Sequence, residues 1–162
     1  MTIKVIGIDP GLAATGVGVI SGRGPDVHDY AYGVIKTDAR ATTGKRLDKI
    51  YLSLRDLFEE QMPDVIVVED IFSLEKYPQS GILLGKVCGA VMLAAQHMGL
   101  DVKEIAVREA KQILTANGNA SKAQLEKAVR RTLGRAEQIR PYHSSDALGL
   151  ALIGLFRYAD GS

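Results

Sequence analysis

Two short apolar runs, each ending in a carboxylate, constrain this chain more than any other feature. Ile3 to Ile8 is rich in apolar residues and is stopped by Asp9-Pro10-Gly11, while Val65-Ile66-Val67-Val68 is β-branched throughout and ends at Glu69. Such runs bounded by turn signals are the pattern of strands buried on both faces, at the centre of an α/β sheet. Open sheets of that class build their sites at the carboxyl ends of strands. If the two strands are parallel neighbours, Asp9 and Glu69 face one another. Carboxylates held that close raise each other's pKa unless a cation lies between them. Either acid alone has an ordinary reading, the capping of the turn that follows. The pair, on two core strands, points to a site.

The rest of the pattern supplies the sheet and its cover. Gly16 to Ser21 and Tyr30 to Lys36 read as a second and third strand, with Gly22, Gly24, Pro25 and Asp26 between them as a hairpin connection. Leu47, Ile50, Tyr51, Leu54, Leu57 and Phe58 recur at helical spacing, which predicts a helix from near Thr43 to before Pro63. A second helix is expected from about Ser80 to Met98, a fifth strand over Asp101 to Ala106, and a short helix over Arg108 to Leu114. Ser121-Lys122-Ala123-Gln124 has the form of a capping box, opening a helix that stops at Gly134. A last helix covers Ser144 to Tyr158. The order β-β-β-α-β-α-β-α-α-α predicts an α/β fold with a five-stranded mixed sheet flanked by helices. A length of 162 residues suits one domain, read as residues 1–158 with a short tail at 159–162.

A third acid, Asp146, lies at the start of the last helix, three residues after His143. Residues at i and i+3 share a helix face, so a helix laid over the strand ends would carry both into the pocket of Asp9 and Glu69. The ordinary alternative for Asp146 is a helix cap or a first-turn charge. A cluster of this composition suits two divalent ions about 3.5–4 Å apart, acting on a phosphodiester. Hard oxygen ligands favour Mg²⁺, with Mn²⁺ as a substitute. Gly11, Gly16 and Gly18 do not form a nucleotide-binding loop and read as a hairpin that keeps the floor beside Asp9 open.

Three segments taken together, Gly7-Ile8-Asp9-Pro10-Gly11, Val68-Glu69-Asp70-Ile71-Phe72 and Asp146-Ala147-Leu148-Gly149-Leu150-Ala151, resemble the RuvC-type Holliday junction resolvases. Gly85-Lys86-Val87-Cys88-Gly89, Ala110-Lys111-Gln112 and Gly118-Asn119-Ala120-Ser121-Lys122 fall in the same order as further stretches of that family. The resemblance implies a ribonuclease-H-like fold, a homodimer, paired symmetric nicks across a four-way DNA junction, and partnership with a branch-migration motor. By the same resemblance Asp9, Glu69 and Asp146 become metal ligands, Phe72 a wedge stacking at the opened crossover, and Lys111 and Lys122 contacts to phosphates near the scissile bond. The sequence departs from the family where an Asp-x-x-Asp pair is usual, since here it is His143-Ser144-Ser145-Asp146. The loop at residues 73–79 also differs. An imidazole ligates metal only when neutral. Histidine is also a softer ligand than a carboxylate, so good activity with Mn²⁺ is expected, together with a rate that falls as pH drops through about 6.5, the unperturbed histidine value.

Charge and cysteine content narrow the remaining classes. The whole chain carries a formal charge of +1, but Lys103 to Arg140 holds nine Lys/Arg against four Glu. That flank could bind a polyanion, or could be a solvated helix face. The single cysteine, Cys88, lies in an apolar stretch and reads as a small buried hydrophobe. No apolar run reaches the length of a membrane span, and the expectation is a soluble, cytoplasmic protein. The alternatives kept open are another ribonuclease-H-like nuclease acting on RNA and a junction-binding protein with weak cleavage.

Overall fold

A computed structural model describes residues 1–71 and 78–159. Its elements are β1 (Ile3–Asp9), β2 (Ala14–Arg23), β3 (Asp26–Lys36), α1 (Thr43–Gln61), β4 (Val65–Glu69), α2 (Pro78–His97), β5 (Val102–Ile105), α3 (Val107–Thr115), α4 (Lys122–Thr132) and α5 (Tyr142–Tyr158). The strands form one sheet in the order β3-β2-β1-β4-β5. β1 and β4 are parallel neighbours with Ile8 opposite Val68, so the two acid-bearing strand ends lie side by side. The pairs β1–β2 and β2–β3 are antiparallel and β4–β5 is parallel. The expected element order and five-stranded mixed sheet are both observed.

Alternation along the central strands sorts their side chains onto two cores. Val5, Val65 and Val67 pack with Leu148 and Leu152 of α5 and with Leu125 and Val129 of α4. Ile6, Ile8, Ile66 and Val68 pack on the other face with Ile50, Leu54 and Phe58 of α1 and Val87 and Val91 of α2. Asp9 and Glu69 continue the first set, two residues beyond Gly7 and Val67, so both belong to the α5 face. Cys88 is buried on the α1–α2 side, and burial pushes its thiol up to about 11, in keeping with an inert side chain.

Helix α5 is buried without a break from Ser144 to Leu155, because it lies between the sheet and the pair α3–α4. A helix so enclosed is apolar all round rather than striped. It sits on the backbone of β1 and β2 through glycines. A Cβ on Gly7 would lie 2.0 Å from the Ala147 carbonyl oxygen, and one on Gly16 would lie 2.0 Å from that of His143. A Cβ on Gly18 would meet the Leu148 backbone nitrogen at 2.8 Å, and on the helix side Gly154 seats against Val5 and Val67. Gly16 and Gly18 thus do not keep the floor open, as their spacing suggested; they lower it so that α5 can cover it.

The β2–β3 connection and the start of α5 differ from expectation for physical reasons. Strand pairing runs on through Arg23 and Asp26, leaving a turn of two residues at Gly24 and Pro25. β3 is an edge strand with no fully buried residue, so polar positions such as His28 and Asp29 carried no apolar alternation to mark it. Helix α5 begins at Tyr142 rather than Ser144, which places His143 inside the helix. At the other end Ala159 caps α5. The capping box at Ser121 is present as expected, with both reciprocal bonds formed between Ser121 and Gln124. Phe72 and residues 73–77 lie outside the described residues.

Gly7→Ala and Gly16→Ala are each expected to destabilise the fold by about 3 kcal/mol, because the new methyl meets helix backbone that cannot yield. Gly44→Ala in α1, where a Cβ meets nothing within 4 Å, is expected to be neutral or stabilising by up to about 1 kcal/mol. Urea unfolding of the three variants beside the parent chain checks both.

Candidate active site

Parallel pairing of β1 and β4 brings Asp9 and Glu69 to one edge of the sheet, and the seating of α5 adds the rest. With His143 held over Gly16 and Ala147 over Gly7, His143 and Asp146 descend from consecutive turns onto the strand ends. His143 Nδ1 lies 2.7 Å from Asp9 Oδ2. Asp9 and Asp146 are both buried. Asp146 is neither the helix cap nor in the first turn, since Pro141 holds the cap position. The capping alternative for this acid is therefore excluded.

The turn that presents Asp9 is pinned by Thr15, a fully buried residue that the sequence reading did not single out. Its Oγ1 donates to the Gly11 carbonyl at 2.7 Å and accepts from the Gly11 amide at 3.4 Å. The signal available was a hydroxyl residue four positions after a turn glycine, a pattern of local side-chain to backbone bonding. Ser144 and Ser145 work in the same way for α5. Ser144 Oγ donates to the Gly33 carbonyl at 3.2 Å and Ser145 Oγ to that of Tyr142 at 3.0 Å.

Glu69 holds a proton that an isolated carboxylate would have lost. Burial pushes Glu69 up to about 9, helped by its hydrogen bond with Asp9 and by the charges of Asp9 and Asp146. Asp146 is raised above the usual carboxylate range by burial first and Asp9 second, in spite of the nearby Lys122 ammonium. The hydrogen bond to Asp9 raises His143 above its ordinary value against a smaller opposing effect of burial. Lys122 Nζ lies 3.4 Å from Asp146 Oδ2. The other oxygen, Oδ1, is buried and has no hydrogen-bond partner among the described residues.

This is a site short of positive charge. Three carboxyl groups form a hard oxygen donor set to which the imidazole adds one softer nitrogen, one buried oxygen is orphaned, and Glu69 carries a proton that a cation would replace. These features fit a divalent ion. Among the described residues no three of these groups yet form a finished ion cage, so an ion would have to draw them together.

The other expected residues divide. Lys122 reaches the cluster, but through Asp146 rather than as a detached surface charge. Lys111 is half-buried on α3, and the hydrogen bonds and ion pairs of the acids involve Lys122, not Lys111. Phe72 falls outside the described residues. On the outer side of α4, Lys127, Arg130, Arg131 and Arg135 line one groove, so part of the basic flank is gathered on a single surface. Among the described residues, no helix is long and apolar enough to cross a membrane.

Comparison with known proteins agrees with this geometry. The family model described as crossover junction endodeoxyribonuclease RuvC matches residues 5–154. A protein of that name from Moorella thermoacetica is 35% identical over 148 residues, covering 91% of this chain and 88% of its own length. Another from Chlorobium phaeovibrioides is 37% identical over 158 residues, covering 97% and 83%. The solved structure of T. thermophilus RuvC in complex with Holliday junction substrate superposes with a TM-score of 0.89 at 30% identity, covering 98% of this chain and 96% of that one. The fold is thus ribonuclease-H-like, as the sequence resemblance implied, and the chain belongs to the RuvC family of crossover junction endodeoxyribonucleases.

Proposed function

We propose that this chain resolves four-way Holliday junctions in DNA by paired symmetric nicks, hydrolysing phosphodiesters at the cluster of Asp9, Glu69, His143 and Asp146. The observation that carries this reading is the convergence of three buried or half-buried acids, one of them protonated and one with an orphaned oxygen, at the strand ends of a RuvC-family chain. The T. thermophilus relative was solved on a Holliday junction, which supports the same substrate here.

Two Mg²⁺ ions, replaceable by Mn²⁺, would be held by Asp9, Glu69, Asp146 and His143, and would supply a water of lowered pKa and charge stabilisation for the leaving oxygen. Asp9 shares hydrogen bonds with both Glu69 and His143, so it sits between the two halves of the site. With Nδ1 of His143 directed at Asp9, Nε2 is the ring nitrogen left to ligate or to pass a proton. Lys111 and Lys122 are assigned to phosphates near the scissile bond, and Phe72 to stacking at the crossover.

Symmetric nicking calls for two sites, and a homodimer provides them. The outer face of α2 supports this reading: Ile82, Leu83, Met92 and Leu93 are exposed there, an apolar surface unusual for a monomer. Action on chromosomal DNA in the bacterial cytoplasm, alongside a branch-migration motor, completes the reading that family likeness suggests.

Cleavage of a synthetic four-way DNA junction, beside a matched RNA, tests it. Asp9→Asn and Glu69→Gln are expected to lose more than about 100-fold in rate while still binding the junction, beyond what loss of an outer-shell metal partner costs. Full activity in Asp9→Asn, or preferential cleavage of the RNA, would overturn the proposal. A gel shift without nicking by the parent chain in both Mg²⁺ and Mn²⁺ would favour a binding protein instead.

His143 must be neutral to ligate, and its bond to Asp9 favours the proton. The rate is expected to fall as pH is lowered, and His143→Asp is expected to move that fall to lower pH. Single-turnover pH–rate profiles of the two proteins check this.

Stability should respond to pH in a defined direction. Glu69, Asp146 and His143 all have raised pKa values in the fold, so their contribution is present at low pH and lost as pH rises. For Glu69 the window runs from the ordinary carboxyl value of 4.5 to about 9. In chelator, the melting temperature is expected to fall between pH 5 and 9. Glu69→Gln should remove most of the slope, and added Mg²⁺ should flatten it, because ion binding favours the ionised acids. Differential scanning calorimetry across that range measures it.

A further inference from the structure

The placement of Lys122 has no local cause. It is the first residue of α4, where a positive charge opposes the helix dipole. The capping box at Ser121 fixes where α4 begins, and packing of Leu125 and Val129 on the α5 surface at Gly149 fixes how the two helices meet. Together these bring Lys122 Nζ to 3.4 Å from Asp146 Oδ2. The Lys122 side chain is 59% exposed and that of Asp146 only 7%. A long, solvated side chain therefore delivers its charge to a carboxylate that cannot move out to meet water. Its ammonium occupies the side of Asp146 that points outward, while Oδ1 inside has no partner among the described residues.

We propose that Lys122 is a built-in counter-ion of the acidic cluster, its ammonium on Oδ2 neutralising Asp146 until a divalent cation engages the carboxylate, so that ion and ammonium compete for the same negative charge. The proposal rests on the reading of Asp146 as a metal ligand. A unit charge at this distance repels an incoming ion as well as occupying its ligand. The cluster is stabilised before loading, and the affinity for metal is correspondingly reduced. Once displaced, the ammonium swings on its flexible stem and is available to a phosphate of the bound DNA.

Titration of the full chain with Mn²⁺, free ion followed by electron paramagnetic resonance and no DNA present, tests the competition. Lys122→Met is expected to bind Mn²⁺ about fivefold more tightly, the size of one partly exposed ion pair. Lys122→Arg, which restores the charge, is expected to bind like the parent. Lys127→Met, which removes an exposed lysine of the same helix away from Asp146, is expected to change affinity by less than about twofold. Unchanged or weaker binding in Lys122→Met overturns the proposal, as does equal tightening in Lys127→Met, which would mean net charge alone. If the parent binds Mn²⁺ and Lys122→Met binds it no better, only the role of Lys122 falls. If neither binds, the metal-site reading of the acids falls with it. Thermal unfolding in chelator confirms that each variant is folded.

Discussion

The structure depends on how closely a helix can approach a sheet. α5 lies on β1 and β2 nearer than side chains would permit, because the positions beneath it are Gly7, Gly16 and Gly18 and the position above Val5 and Val67 is Gly154. Close packing of this kind tolerates little displacement. It sets the height of α5 over the strands, and that height decides whether His143 reaches Asp9. The same contact that completes one of the two cores therefore gathers the site. Thr15, Ser144 and Ser145 complete it with short side-chain to backbone bonds at the turn and at the start of the helix.

The site opposes the fold that holds it. Burying carboxyl groups side by side costs free energy unless protons or cations offset it. In the protein alone, Glu69 keeps its proton, His143 leans on Asp9, and Lys122 leans on Asp146. Each of these is a substitute for charge that a divalent ion would bring. The arrangement is folded before an ion arrives, and an ion would finish it by drawing the acids together.

Much of this was legible in the sequence, and the rest was hidden for identifiable reasons. The strands ending at Asp9 and Glu69 were marked by unbroken apolar runs, and the capping box at Ser121 by its residue types. His143 and Asp146 were joined by spacing, although the helix starts two residues earlier than its composition suggested, since Tyr142 and His143 are only half-buried and stand outside the apolar core. The extent of β3 was invisible because an edge strand has no need to alternate. The purpose of Gly16 and Gly18 was misjudged because what a glycine lacks is informative only once the opposing backbone is known. The partner of Lys122 depends on how α4 meets α5, and no local pattern carries that information. Phe72 stands as the family resemblance left it.

The alternation that sorts Val5, Gly7 and Asp9 from Ile6 and Ile8 has a consequence for errors in assembly. Slipping β1 by one residue against β4 would turn Asp9 into the greasy layer under α1 and α2, and would thrust isoleucines against the backbone of α5. Such a chain would lose its chemistry and its ability to close up in one stroke. Misregistered molecules are therefore not dormant enzymes awaiting a cofactor. They are incompletely folded chains, with apolar surface exposed to whatever proofreads folding in the cell, and the population that survives is the one whose acids already stand together.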